Sequence, residues 1–199
     1  MFTGIIREVG TVSRLERSNG LVRLTVRAPK AAAKVAALES VAVNGVCLTV
    51  TSARGGALRF DVIPETQQMT ALGRLRAGSS VHVEPSLSLT DRINGHILLG
   101  HVDGVGTVLR RREHHGETIL EIRVPAGLRR WLVSKGSVAV DGVSLTVGRA
   151  LPGRGFAVHL IPDTLRHTRL GALVPGSSVN VEIDYLAKLV SQFVGAKRL

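Results

Sequence analysis

Most of this sequence is written twice, and that constrains its fold more than anything else in it. Ser40–Val50, SVAVNGVCLTV, returns as Ser137–Val147, SVAVDGVSLTV, with nine of eleven positions identical at an offset of 97. VGTV at 9–12 returns at 105–108, IPET at 63–66 as IPDT at 161–164, and TALG at 70–73 as TRLG at 168–171. GSSVHVE at 78–84 returns as GSSVNVE at 176–182. The order is kept and the offset drifts only between 96 and 98. Units of this length are domains rather than solenoid repeats, so each must bury a core of its own. The copies divide the 199 residues into units at 1–90 and 91–183, leaving a tail at 184–199 without a counterpart.

Each unit reads as β structure. LVRLTV at 21–26, LRFDV at 58–62 and VNVEI at 179–183 alternate apolar and polar residues, the period of a half-buried strand. Asn44-Gly45 and Asp141-Gly142 lie between Val-rich segments as hairpin-turn dipeptides. Several short strands closed within about 90 residues favour a small antiparallel barrel. Short helices are expected at 30–38 and 127–134. In the tail, Leu186, Leu189, Val190, Phe193 and Val194 form one apolar stripe on a helix, with Asp184 near its start and Lys197-Arg198 at its end. That stripe needs a partner, either its own chain or a second copy.

Composition narrows the function. Lys and Arg number 26 against 15 Asp and Glu, a net charge of +11. The cations are scattered, with Arg110-Arg111-Arg112 the tightest cluster, and aromatic residues are only 3%. A basic surface without stacking platforms argues against nucleic acid and leaves a positive field suited to anionic small molecules. No apolar run is long enough to span a membrane, and the opening MFTGIIREVG lacks the pattern of a signal peptide. A single cysteine cannot form an internal disulfide, so a cytoplasmic protein with a reduced thiol is expected. His114-His115 beside the arginines reads as a solvated loop, not a metal site.

The copies diverge where chemistry is expected. Gly4-Ile5-Ile6 aligns with Gly100-His101-Val102, Cys47 with Ser144, and Asn44 with Asp141. Both keep a polar set made of Ser40 or Ser137, Thr49 or Thr146, and Glu65-Thr66 or Asp163-Thr164. Two similar pockets with different reactive groups suit a reaction between two molecules of one substrate. A thiol is the strongest nucleophile available, and an imidazole is matched to proton transfer near neutral pH. Taken singly, a cysteine in a Val-rich strand is more often a small buried residue, and a histidine beside glycine a turn residue.

The opening MFTGII, VNGVCLTV at 43–50, GHVDGVG at 100–106, KGSVAVDGVSLTV at 135–147 and VNVEIDYLAKLV at 179–190 together resemble the riboflavin synthase family, over essentially the whole chain. The resemblance implies an all-β fold of two duplicated six-stranded antiparallel Greek-key barrels plus a C-terminal α-helix, assembled as a homotrimer through those helices. It implies a cofactor-independent transferase acting on 6,7-dimethyl-8-ribityllumazine. One molecule passes a four-carbon unit to another, giving riboflavin and 5-amino-6-(ribitylamino)uracil. Lumazine synthase is an implied assembly partner. A non-catalytic lumazine- or riboflavin-binding paralogue is the alternative.

Carried over residue by residue, Gly4, Ile5, Ile6, Cys47, Leu48, Thr49, Asp61, Val62, Ile63, Pro64, Glu65 and Thr66 are expected to hold the ligand of the N-terminal barrel. Gly100, His101, Val102, Lys135, Ser144, Leu145, Thr146, His159, Leu160, Ile161, Pro162, Asp163 and Thr164 are expected to hold the other. His101 is the expected proton-transfer group, with Ser40 and Cys47 the polar pair beside the acceptor. Lys135 would balance a ligand anion, and Asp184 would support it. Asp61, Thr66 and Thr164 would meet the ribityl chain. Gln67-Gln68 and Asn94 depart from the family pattern, while Ser40, Cys47, His101 and Lys135 are all present.

Overall fold

The computed structural model describes residues 1–114 and 116–196. The first unit contains β1 (Glu8–Ser18), β2 (Leu21–Arg27), β3 (Ser40–Val43), β4 (Val46–Arg54), β5 (Ala57–Val62) and β6 (Ser80–Pro85). The second contains β7 (Gly104–His114), β8 (Glu117–Arg123), β9 (Ser137–Val140), β10 (Val143–Leu151), β11 (Gly155–Leu160) and β12 (Ser178–Ile183). The first closes as β1-β2-β5-β4-β3-β6, and the second repeats that order as β7-β8-β11-β10-β9-β12. Every pairing is antiparallel. The expected pair of six-stranded barrels is what the chain forms.

Alternation decides which face each strand buries. Val22, Leu24 and Val26 of β2 point inward with Leu58 and Phe60 of β5. Leu120, Ile122, Phe156, Val158 and Leu160 do the same in the second barrel. Strand curvature comes from register shifts at equivalent places, between Val12 and Arg14 in β1 and between Val108 and Arg110 in β7. The β3–β4 and β9–β10 hairpins turn on Asn44-Gly45 and Asp141-Gly142. All four residues have φ between 47° and 78°, the left-handed pair a two-residue turn demands.

The helices differ from expectation. The one expected at 30–38 is the single turn α1, Pro29–Ala32, and that at 127–134 is a 3-10 helix, Ala126–Trp131. The chain leaves both early because Leu38 and Lys135, each at positive φ, donate N–H to Val50 and Val147 as it enters the next strand. Two short helices were not anticipated: α2, Pro64–Met69, and α3, Pro162–His167, each with proline in its first turn. Gln67 fastens α2 by donating to the carbonyls of Gly20 (3.0 Å) and Val62 (2.9 Å).

The two barrels are joined by a buried polar network with an internal two-fold relation. His82 of β6 donates from Nδ1 to the Asp141 carbonyl (2.8 Å) and accepts at Nε2 from the Arg169 N–H (2.7 Å). Asn180 of β12 makes the reciprocal pair, donating to the Asn44 carbonyl (2.8 Å) and accepting from the Ala71 N–H (2.7 Å). The turns answer in kind, since Asn44 Oδ1 accepts from His82 N–H and Asp141 Oδ1 from Asn180 N–H. Asp141 carries a further partner, the Arg169 guanidinium.

Helix α4, Tyr185–Ala196, follows β12. Asp184 caps it by accepting from Leu186 N–H (3.0 Å), and Lys188 ties it to Asp103 (2.9 Å). Among the described residues most of its apolar stripe is uncovered: Leu186 is 57% and Phe193 72% exposed, Val190 and Val194 are similarly open, and Leu189 is half-buried. Lys197 and Arg198 lie outside the described residues, as does His115. His114 ends β7 opposite Glu117. Among the described residues no helix is long and apolar enough to cross a membrane.

Candidate functional site: two equivalent positions with exchanged loops

Cys47 and Ser144 occupy equivalent places on β4 and β10. Both are half-buried, on the outward face, next to inward neighbours of the core. What covers them corrects the expected grouping. Gly4 reaches across to the second barrel, where its carbonyl accepts from Ser144 N–H (2.9 Å), while the Gly100 carbonyl accepts from Cys47 N–H (2.9 Å). Ile6 packs against the second core and Val102 against the first. Gly4–Ile6 therefore belongs with Ser144, and Gly100–Val102 with Cys47. The crossing is held at its centre by the Phe2–Leu98 bridge, which packs with Ala42 and Ala139.

Both glycines are required. Each has φ near 75°, and a Cβ on Gly100 would stand 2.6 Å from Cys47 Cβ, one on Gly4 2.6 Å from Ser144 Cβ. Sequence reasoning missed the groups that anchor these loops. Glu84, at the end of β6, accepts from Thr3 N–H (2.8 Å), Thr3 Oγ1 (2.9 Å) and Gly4 N–H (3.1 Å). Glu182, at the end of β12, accepts from Leu99 N–H (2.8 Å) and Gly100 N–H (3.1 Å). Burial raises both carboxyls, Glu182 to about 7, against the pull of those N–H donors. The signal was present as an acidic residue closing the same repeated strand in both copies.

The other expected residues divide into groups. Gly4, Ile5, Ile6, Ser144, Asp163 and Thr164 line one cavity of about 350 Å³ with Val143, His167 and Thr168. Thr49 pairs with Ser40, and Thr146 with Ser137, across their hairpins. His101 is exposed at the foot of its loop, and Lys135 is exposed in the turn before β9, where the first copy has Leu38. Thr66 and Thr164 are half-buried on α2 and α3, each accepting at its carbonyl from a threonine four residues on (2.6 Å). Glu65, Ile63, Ile161 and Pro162 are exposed. Leu48, Val62 and Leu160 turn their side chains into the cores, so only their backbone faces outward. Leu145 packs on the second core. Asp61 pairs with Arg23 (3.4 Å), and its counterpart His159 with Glu117 (3.0 Å), both on the outer wall.

Twin closed barrels whose equivalent strands carry a thiol and a hydroxyl under exchanged glycine loops define a duplicated ligand-binding protein. The lumazine binding domain matches this chain twice, over residues 3–86 and 99–184. Riboflavin synthase of Mycobacterium tuberculosis is 42% identical over 197 residues, 98% of each chain. That of Actinobacillus pleuropneumoniae is 39% identical over 194 residues, 98% of this chain and 90% of the relative. The crystal structure of LumP complexed with riboflavin superimposes with a TM-score of 0.85 at 26% identity, covering 92% of this chain and 99% of that one. LumP complexed with 6,7-dimethyl-8-(1'-D-ribityl) lumazine gives 0.82. The chain belongs to the riboflavin synthase family.

Proposed function

We propose that this chain catalyses the dismutation of two 6,7-dimethyl-8-ribityllumazine molecules. One donates a four-carbon unit to the other, producing riboflavin and 5-amino-6-(ribitylamino)uracil. The observation that carries the reading is the divergence at one structural position, Cys47 under Gly100 in one barrel and Ser144 under Gly4 in the other. Identity of 39–42% to riboflavin synthases over nearly the whole chain supports an enzyme over a sequestering relative.

In this reading each barrel holds one lumazine. The half-buried Thr66 and Thr164 meet the ribityl chains, and strand backbone meets the pyrimidine edges. Ser40 and Cys47 flank the ligand of the first barrel, with His101 above it as a proton-transfer group, while Lys135, in the turn before β9, balances the anion that deprotonation leaves on the ligand of the second barrel. Holding two substrates face to face supplies much of the rate, an effect of about 7–11 kcal/mol in favourable cases. Cys47→Ser is expected to keep roughly a tenth or more of the parent kcat, because the hydroxyl preserves the polar contact. Complete loss of turnover at unchanged lumazine affinity would make the thiol a covalent nucleophile.

The exposed stripe of α4 supports a homotrimer held by these helices, which sets the first barrel of one subunit against the second barrel of its neighbour. A helix of 12 residues is marginal alone and gains stability by packing that face. Replacing Leu186 and Phe193 together with Gln is expected to give a folded 21.2 kDa monomer with little activity. An unchanged sedimentation coefficient would remove the helix from the assembly. A cytoplasmic location and lumazine synthase as assembly partner extend the same proposal, supported by the family membership.

The reading is tested by incubating the protein with the lumazine alone. Riboflavin absorbance rising above a protein-free control is expected. Ligand binding with a fluorescence change and no riboflavin would favour the sequestering paralogue.

A further inference from the structure

Ser144 and Cys47 match in position but not in company. The linker that follows β6 runs where α4 follows β12, and it brings His96 to Ser144, with Nδ1 2.7 Å from the hydroxyl oxygen. Gly95 permits this approach, since a Cβ there would stand 2.0 Å from the Thr3 carbonyl and 2.9 Å from Ser144 Oγ. The ring is half-buried, and its buried Nε2 has no hydrogen-bond partner among the described residues. Cys47 is packed instead against Phe2, Ala42, Leu98 and Ala139, with Gly100 over its Cβ.

The chemistry of the two groups accounts for the difference. A thiol is intrinsically nucleophilic without a paired base, whereas a serine hydroxyl near neutral pH needs an adjacent one. We propose that His96 is the proton acceptor of Ser144, a positioning residue that acts through the Ser144 hydroxyl on the ligand of the Gly4–Thr164 cavity. This rests on the lumazine reading above. As the Ser144 oxygen takes a proton from the acidic methyl group of that ligand, its own hydroxyl proton passes to Nδ1. The electron pair of the broken C–H bond stays on the ligand, leaving a ligand anion and an imidazolium with no change of oxidation state. The reverse transfer returns the proton to product. Asp184, at the start of α4, is the charge whose field favours the imidazolium, while burial holds the ring below its ordinary value. Asp163 and His167 are the titratable groups lining the cavity beside Ser144. His101 then serves the ligand beside Cys47.

The test measures kcat against pH for the parent, His96→Gln, Ser144→Ala and the double variant, with lumazine affinity and Tm followed alongside. The expected result is a fall of about tenfold or more in kcat for each single variant, near-parent affinity and Tm, and a double variant no slower than the worse single. The low-pH limb of the profile should shift in His96→Gln, and added imidazole should restore part of the rate to His96→Ala. A His96→Gln rate within twofold of the parent, or losses that multiply in the double variant, would overturn the proposal. If His96→Gln does not fold, His96→Asn carries the same comparison. A parent that makes no riboflavin defeats the dismutase reading alone. Lumazine affinity between pH 5 and 7 then decides the pair, which stands if His96→Gln removes a pH dependence that the parent shows and falls if it does not.

Discussion

Gly45→Ala is expected to destabilise the protein by about 2–5 kcal/mol and to lower its Tm by roughly 5–15 °C. Gly45 sits at φ 77°, and a Cβ there would stand 2.6 Å from the backbone nitrogen of Gly142 and 2.8 Å from its Cα. The tips of the two hairpins touch backbone to backbone, so neither can yield without separating the barrels. Gly55→Ala is the control, because Gly55 also has positive φ, 58°, but opens onto free space. It should cost only the conformational part, about 1–2 kcal/mol. Thermal unfolding of both variants isolates the contact between barrels. A Gly45 variant no less stable than the Gly55 variant would show that the turns do not meet.

The second large effect is at His82. Removing its ring with His82→Leu leaves the Asp141 carbonyl and the Arg169 N–H buried without partners, a cost of about 2–5 kcal/mol. His82→Asn should recover most of that, since Asn180 already makes the same two bonds on the opposite side. Burial depresses the His82 ring from its usual 6.5 to about 3. The unfolded chain therefore takes up a proton that the folded chain refuses, and this stability is present above pH 6.5 and lost as pH falls toward 3. Asp141 works the other way: burial raises its carboxyl to about 6, so its contribution is greatest at low pH and lost as pH rises through 6. The comparison of parent with His82→Asn cancels that opposing effect. Urea unfolding at pH 7 and pH 4.5 should show the parent losing more stability than His82→Asn, by about 2 kcal/mol. Equal losses would mean that the ring is protonated in the folded state.

Much of this fold can be read from the residues because the determinants are local. Alternation in segments such as LVRLTV names the inward face, and Asn-Gly and Asp-Gly in equivalent places name the tight turns. Comparison of the copies also located Cys47 and Ser144 as the position of divergence. What escaped is non-local. Gly4 pairs with a strand 140 residues away and Gly100 with one in the preceding unit. Nothing in either loop's own sequence shows which barrel it covers, and proximity along the chain points to the wrong one. Glu84, Glu182, His82 and Asn180 alternate as outward residues of a strand should, and outward reads as solvated. They are buried because the second barrel and the crossing loops stand where solvent would be. The helix at 30–38 failed for a related reason, its propensity overridden by the N–H of Leu38 bonding to β4. His96 sits in the segment that joins the two units, where local sequence gives no sign of the Ser144 hydroxyl it meets.

The central claim is that two copies of one pocket treat two molecules of one substrate differently. It is tested most directly by the material balance of the reaction, with the lumazine supplied alone and riboflavin, the pyrimidine and residual lumazine quantified together. The account predicts one riboflavin and one 5-amino-6-(ribitylamino)uracil for every two lumazines consumed. Riboflavin formed without the pyrimidine, or lumazine bound by both barrels and recovered unchanged, would contradict it.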